Sequence, residues 1–192
     1  QSKLQWWSNE LLENEKFRDT DLVHLQIVHD HFLRFETLKE IASRKPTVWT
    51  WHDLWPVTGH CIFPIGCGEW AKGCGNCPDL LSPLPVFRDR TAAEYARKSK
   101  MFENLDIDVH VTTQWMLDRI SPHIANTKLK VHVFPFGIDL NLFKPIEPSL
   151  IRRKLGIAVD TFCVFARATD DPRKGFKELV RALDELSHHE DI

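Results

Sequence analysis

No apolar run in these 192 residues approaches the roughly 18 that a membrane-crossing helix needs, so no segment reads as a bilayer span. A positive surplus is missing too: 25 Lys and Arg stand against 27 Asp and Glu, a net charge of -2. Polyphosphate binders usually carry a basic excess, so nucleic acid is not an expected partner. The opening Gln1-Ser2-Lys3-Leu4-Gln5-Trp6-Trp7 has neither an initiator methionine nor an apolar h-region. It reads as neither a signal peptide nor a natural start, and the chain is expected to be a fragment. Internal repeats and low-complexity tracts are absent. An even, dispersed cysteine framework is also lacking. Of five cysteines, Cys61, Cys67, Cys74 and Cys77 crowd one stretch and Cys163 stands alone. That usage argues against a secreted disulfide scaffold and for a reducing, cytoplasmic setting. What is present is ordinary globular composition, 43% hydrophobic and 27% charged, in a chain long enough for one sizeable core.

Short apolar runs alternate with longer amphipathic stretches, the pattern of βα units around a parallel sheet. Strands are expected at 21–28, 47–51, 107–111 and 130–134. Helices are expected at 31–44, with Phe35, Leu38 and Ile41 on one stripe, at 91–105 and at 114–120. Between them, 53–88 is a long excursion rich in Gly, Pro and Cys without periodicity, which is either functional or held by something other than a core. Pro145 and Pro148 punctuate an interdomain linker. Beyond it a short helix at 149–155 ends at Gly156, 161–166 reads as a buried strand containing Cys163, and Asp171-Pro172 opens a final helix. The expected organisation is one α/β domain over 1–145 and the beginning of a second over 146–192.

Three constellations carry chemistry. Cys61, Cys67, Cys74 and Cys77 follow C-x5-C-x6-C-x2-C. Four thiolates in one loop can wrap a tetrahedral ion, so a structural Zn²⁺ is expected, with an iron–sulfur cluster behind it. Two disulfides or packed thiols are the plainer alternatives. A catalytic metal is not expected, since four cysteines leave no open position.

In Trp51-His52-Asp53-Leu54-Trp55-Pro56-Val57-Thr58-Gly59, His52 stands where a parallel strand ends, the edge at which α/β sheets bind ligands. His52 and Asp53 are candidate catalytic residues, able to exchange hydrogen bonds with a hydroxyl-bearing substrate. A pair that merely fixes the loop is the plainer alternative. Trp49 and Trp51 are expected in the core, while Trp55 is the better candidate to stack on a sugar ring.

In Arg167-Ala168-Thr169-Asp170-Asp171-Pro172-Arg173-Lys174-Gly175, cations gather at a strand-to-helix junction. A helix N-terminus with Lys174, Arg173 and Gly175 suits a diphosphate, and something anionic is expected to offset the cations. A solvated basic cap is the plainer alternative there. The basic residues Arg88, Arg90, Arg97, Lys98 and Lys100 could greet an anionic membrane surface, yet a solvated helix face is the commoner cause of such a cluster.

Taken in order, His52–Gly59, Cys61–Cys77, the strand and helix over 109–117, Pro135-Phe136-Gly137-Ile138-Asp139 and Lys174–Phe176 resemble the family 4 glycosyltransferases of polysaccharide assembly. The resemblance implies a Rossmann-like GT-B fold: an incomplete N-terminal, acceptor-side domain plus the first βα unit of the C-terminal, nucleotide-sugar domain. It implies a retaining sugar transfer to a glycan or lipid-linked acceptor without a catalytic metal. The expected location is the cytoplasm, with peripheral contact at the inner face of a membrane as the option the basic residues leave open. It gives His52 a place beside the transferred sugar, Lys174 a place on the donor diphosphate with Arg167 or Arg173 as partner, and Gly137 and Asp139 a place in the hinge turn. Two departures stand out. Phe136 occupies a position where the family usually has Asn, and no two glutamates lie eight positions apart, so the family's paired-glutamate motif is absent and the fragment itself is expected to be inactive. The rival reading is a non-catalytic, metal-stapled α/β interaction module. A cysteine oxidoreductase is a third, and it would require a low-pKa thiol at Cys74 or Cys77.

Overall fold

The computed structural model describes residues 10–29, 33–81 and 85–188. The reading of Gln1–Trp7 and the expected start of a helix at His31 lie outside these residues. The chain divides into two compact units, Gln1–Gly137 and Ile138–Ile192.

In the first unit four strands form one parallel sheet in the order β1-β2-β3-β4: β1 Val23–Leu25, β2 Thr47–Thr50, β3 Asp108–Val111 and β4 Lys130–Val133. Parallel neighbours need crossovers, and each of the three carries a helix. After a short α1 (Glu15–Arg18), these are α2 (Phe35–Arg44), α3 (Thr91–Phe102) and α4 (Gln114–Ile124). This is the expected Rossmann-like α/β arrangement. Side chains alternate along a strand, so register sorts the sheet into two faces. Leu25, Trp49, Trp51, Val109 and Val111 share a core with Phe35 and Leu38 of α2, Met101 and Phe102 of α3, and Met116 and Ile120 of α4. Trp49 and Trp51 are 2% and 1% exposed, as expected of core residues. Across the sheet, Thr50 pairs in register with His110, and His110 with His132, so the opposite face carries polar side chains.

Two local boundaries differ from expectation for identifiable reasons. The first strand stops at Leu25 rather than residue 28, because the Trp49 indole donates to the Gln26 carbonyl (2.9 Å) and draws that group away from ladder pairing. The third helix stops at Phe102, where Glu103 and Asn104 close it with N–H bonds to Ser99 and Met101.

The second unit holds α5 (Pro148–Leu155) and α6 (Phe176–Ser187). The first ends as expected, with Gly156 in the left-handed conformation (φ 70°) that a Cβ would disfavour. The expected buried strand at 161–166 is not formed: no sheet pairing is assigned there, Phe165 is 97% exposed, and Cys163 is exposed rather than buried. A parallel strand is stabilised by neighbours on its edges, and no described segment supplies one. The final helix begins at Phe176, not Pro172. Pro172–Lys174 form a single 3-10 turn, and Gly175 adopts φ 66°, which interrupts helical geometry before α6 starts.

Candidate functional site

The carboxyl edge of the first unit's sheet gathers side chains from four strand ends. His52, just past β2, places Nε2 2.8 Å from Gln26 Oε1. Its ring lies over Phe136 at 5.3 Å between centroids and 25° between planes. The Gln26 amide nitrogen is 2.8 Å from His24 Nε2, which is 2.8 Å from Thr50 Oγ1. Thr50 Oγ1 is in turn 3.1 Å from His110 Nδ1, and His110 Nε2 donates to the Phe134 carbonyl (2.7 Å) while its ring stacks on Phe134. The polar side chains form one continuous chain from the β4 end to His52.

Asp53 is engaged on both oxygens. Oδ1 accepts from the Trp55 backbone N–H (2.9 Å), and Oδ2 sits 3.1 Å from His29 Nε2. The geometry therefore uses Asp53 to shape the loop. A shallow cleft lies here, bordered by Gln26, His29, Thr50, His52, Asp53 and Trp55.

Beneath that loop, Lys98 of α3 is 2% exposed. Its ammonium donates to the carbonyls of Trp55 (2.7 Å) and Thr58 (3.0 Å) and sits 3.5 Å from the Trp55 ring centroid. Burial holds its pKa down to about 7, with Glu94 and the ionised forms of Cys74 and Cys61 acting the other way. Two expectations change with this. Lys98 is not part of a solvated basic face, and one face of Trp55 is taken by Lys98 rather than offered to a ring. Arg97 is likewise occupied, lying over Phe35 and paired with Glu94 (3.0 Å). Sequence reading missed Gln26 and Lys98. A lysine aligned with Met101 and Phe102 on the buried stripe of a helix was the available signal for Lys98.

The cysteine-rich loop is held mainly by backbone bonds to the start of α3. Gly75 N–H donates to Thr91 Oγ1 (3.0 Å), Cys77 N–H to Asp89 Oδ2 (2.8 Å), and Gly59 N–H to Cys74 Sγ (3.1 Å). Residues 73–76 all have positive φ, which is strained for Cys74 (62°) and Asn76 (49°). All four clustered cysteines are free thiols. Burial raises the pKa of Cys61 to about 11 and also raises those of Cys74 and Cys77, with other thiols of the cluster adding to each shift. That direction is opposite to what a thiol redox centre needs. Among the described residues no group of three or more Cys, His, Asp or Glu converges tightly enough to hold an ion. The expectation of a metal therefore rests on spacing.

In the second unit, Arg173 and Asp171 form a forked pair. Arg173 Nη2 lies 2.6 Å from Asp171 Oδ2 and Nε 2.8 Å from Oδ1, and these bonds hold the Asp171 carboxyl down to about 2. Asp171 is thus the anion that offsets the local cations. Lys174 and Arg167 are exposed, and Gly175 caps α6. Asp139 forms an Asx turn, its Oδ1 accepting from Asn141 N–H (2.8 Å). Gly137, the other hinge candidate, has open space where a Cβ would stand and no left-handed φ.

Comparison with known proteins adds one relative. The chain is similar to a protein of Escherichia coli (strain K12) named "Putative colanic acid biosynthesis glycosyl transferase WcaC", with 34% identity over 91 residues. The match covers 44% of this chain and 22% of that protein's length. No family model matches the chain. No solved structure matches it. Among the described residues no helix is long and apolar enough to cross a membrane.

Proposed function

We propose that this chain is part of a glycosyltransferase of the GT-B type, moving a sugar from a nucleotide-sugar donor to a glycan or lipid-linked acceptor during cell-surface or exopolysaccharide synthesis in the cytoplasm. The observation that carries the reading is His52, held on two sides at the carboxyl edge of a parallel sheet, in a chain similar to a protein named as a polysaccharide glycosyl transferase. Ligands of open α/β sheets gather at that edge.

In this reading the two units have separate tasks. His52 meets the hydroxyl-bearing part of a substrate, with Asp53 and Lys98 keeping its loop in shape. In the second unit, Lys174 and the N–H groups at the start of α6 receive the diphosphate, and Arg173 is available once a phosphate competes with Asp171 for its fork. The anomeric carbon exchanges its bond to the diphosphate oxygen for a bond to the acceptor hydroxyl oxygen, and the hydroxyl proton passes to the departing diphosphate; as the first bond breaks, negative charge grows on the diphosphate. Fixed cations aimed at that developing charge lower the barrier, a contribution of order several kcal/mol in comparable oxyanion sites. Retention of anomeric configuration belongs to the same proposal.

The test is turnover of a panel of nucleotide sugars by the protein at its natural length, with Lys174→Ala and His52→Ala beside it. Turnover of one donor, lost in the Lys174 variant and reduced in the His52 variant, supports the reading. A well-folded protein that neither binds nor turns over any donor overturns it and favours the interaction module.

A further inference from the structure

His60 keeps one ring nitrogen buried and unanswered. The residue is 6% exposed, and its Nε2 lies 3.0 Å from the Asp79 carbonyl oxygen. A backbone carbonyl can only accept, so Nε2 carries the proton and Nδ1 of the neutral ring carries a lone pair. That Nδ1 is buried and makes no hydrogen bond among the described residues. A buried lone pair is costly unless a donor or a cation meets it. Sulfur surrounds this histidine. Cys77 Sγ lies 3.1 Å from the same Asp79 carbonyl, and Gly59, one residue before His60, donates its N–H to Cys74 Sγ at 3.1 Å. Cys67, Cys74 and Cys77 all lie within electrostatic reach of one another. Gly75 and Asn76, between the last two, both have positive φ (101° and 49°), which turns the chain tightly from one sulfur to the next. Cys61 differs, since its thiol is engaged by the hydroxyl of Thr58, a residue with 0% exposure.

We infer that His60, through Nδ1, joins Cys67, Cys74 and Cys77 in holding a structural Zn²⁺, and that Cys61 stands outside the ion. One imidazole and three thiolates make a closed tetrahedral set, and soft sulfur combined with imidazole suits Zn²⁺. The bond from Nε2–H to the Asp79 carbonyl is the kind of outer contact that orients a ligating histidine, and the Gly59 N–H offsets charge on the Cys74 sulfur. No three of these side chains converge on one point as the chain stands. Among the described residues between Cys61 and Thr91, the only regular element is the 3-10 turn Glu69–Lys72, so the loop can close as the ion binds. Three thiol protons then pass to solvent. The role is mechanical. The ion ties residues 60–77 together beside the start of α3, where Thr91 and Asp89 already hold Gly75 and Cys77. Cys61 is shielded by the closed loop without touching the ion. This site goes beyond the glycosyltransferase reading and does not depend on it.

The experiment is a titration of the reduced full chain with Co²⁺, followed by displacement with Zn²⁺. Tetrahedral Co²⁺ shows strong visible bands, and its sulfur-to-metal charge-transfer intensity grows with the number of thiolates bound. The expected result is one Co²⁺ per chain, displaced by Zn²⁺, with the intensity of three thiolates. Cys61→Ser is expected to leave that spectrum unchanged, and Cys67→Ser to weaken it. His60→Gln is expected to lower Co²⁺ affinity at least about tenfold. His60→Cys keeps four ligands, so it is expected to retain the tetrahedral bands and to raise the charge-transfer intensity by about a third. That second variant keeps the test decisive if His60→Gln fails to fold, which dispersed amide spectra would reveal. A folded chain that takes up neither Co²⁺ nor Zn²⁺ stoichiometrically overturns the site. Binding lost in Cys61→Ser, or charge-transfer intensity unchanged in His60→Cys, overturns the place given to His60. None of these readouts uses nucleotide-sugar turnover, so failure here and failure of the glycosyltransferase reading remain distinguishable.

Discussion

Lys98→Met should remove a pH dependence that the parent chain shows between neutrality and pH 9. Lys98 is 2% exposed, and burial brings its pKa from an ordinary 10.5 down to about 7. In the unfolded chain the same group keeps its proton across this range. The unfolded state therefore binds more protons than the folded one, and stability must rise with pH. One full proton of difference is worth about 1.36 kcal/mol per pH unit, and the folded lysine is already half deprotonated at the lower end. The expected gain from Lys98 is therefore about 2 kcal/mol between pH 7 and pH 9; it goes on growing until the unfolded group titrates near 10.5, and it is lost as pH falls through 7. Methionine keeps the apolar stem and removes the ammonium. It also leaves the Trp55 and Thr58 carbonyls without a donor, at about 1–3 kcal/mol each. The variant should thus be less stable at pH 9 and flatter in its pH response. Urea unfolding followed by tryptophan fluorescence suits the measurement, since all seven tryptophans precede residue 138 and report the first unit. Titrating groups that do not interact with Lys98 cancel in the difference between the two chains, and Cys61→Ser and Cys74→Ser placed in both backgrounds remove the two thiols that do interact with it in this pH range. Parallel pH profiles for the parent and Lys98→Met would refute the reasoning, because they would mean that Lys98 carries the same charge folded and unfolded.

Gly59→Ala should lower the urea midpoint, since its Cβ would fall 2.3 Å from the Thr91 carbonyl oxygen and 2.6 Å from Thr91 Cβ. Overpacking of this kind costs about 1–3 kcal/mol, and an unchanged midpoint would show that the loop and α3 are not in contact. The raised pKa values of Cys61, Cys74 and Cys77 predict slow alkylation at pH 7.5 compared with the same thiols in urea, speeding as pH rises. Mass mapping of the labelled cysteines checks this, and equal rates in the two conditions would contradict it. If the four clustered thiols take a structural Zn²⁺, as their spacing suggests, adding the ion should protect all four together and leave Cys163 reactive. Four thiols that stay equally reactive with and without zinc would remove the metal from the account.

Much of the first unit was legible because the parallel sheet writes itself into apolar periodicity. Thr47–Thr50 and Asp108–Val111 are short runs bounded by helices, and the stripe of Phe35, Leu38 and Ile41 marks the buried side of α2. The position of His52 followed from the same logic, since a residue just after a parallel strand must stand at the carboxyl edge. The failures share a cause as well. Residues 161–166 have strand composition, yet a strand is stabilised by its neighbours, and composition cannot supply them. Lys98 was read as surface because a lysine usually is, and only the carbonyls of Trp55 and Thr58 show why this one is buried.

By itself the sequence determined the alternation of strands and helices, the placing of His52 and Asp53 past β2, and the crowding of four cysteines in one loop. Those are matters of order and spacing, which local periodicity and turn chemistry record. Tertiary structure alone decided that Gln26 reaches His52, that Phe136 lies against it, and that Lys98 closes the loop from below. Each of these joins residues at least 26 positions apart, at contact distances that no local pattern encodes. They come into reach only because the parallel register stacks the ends of β1, β2 and β4 along one edge.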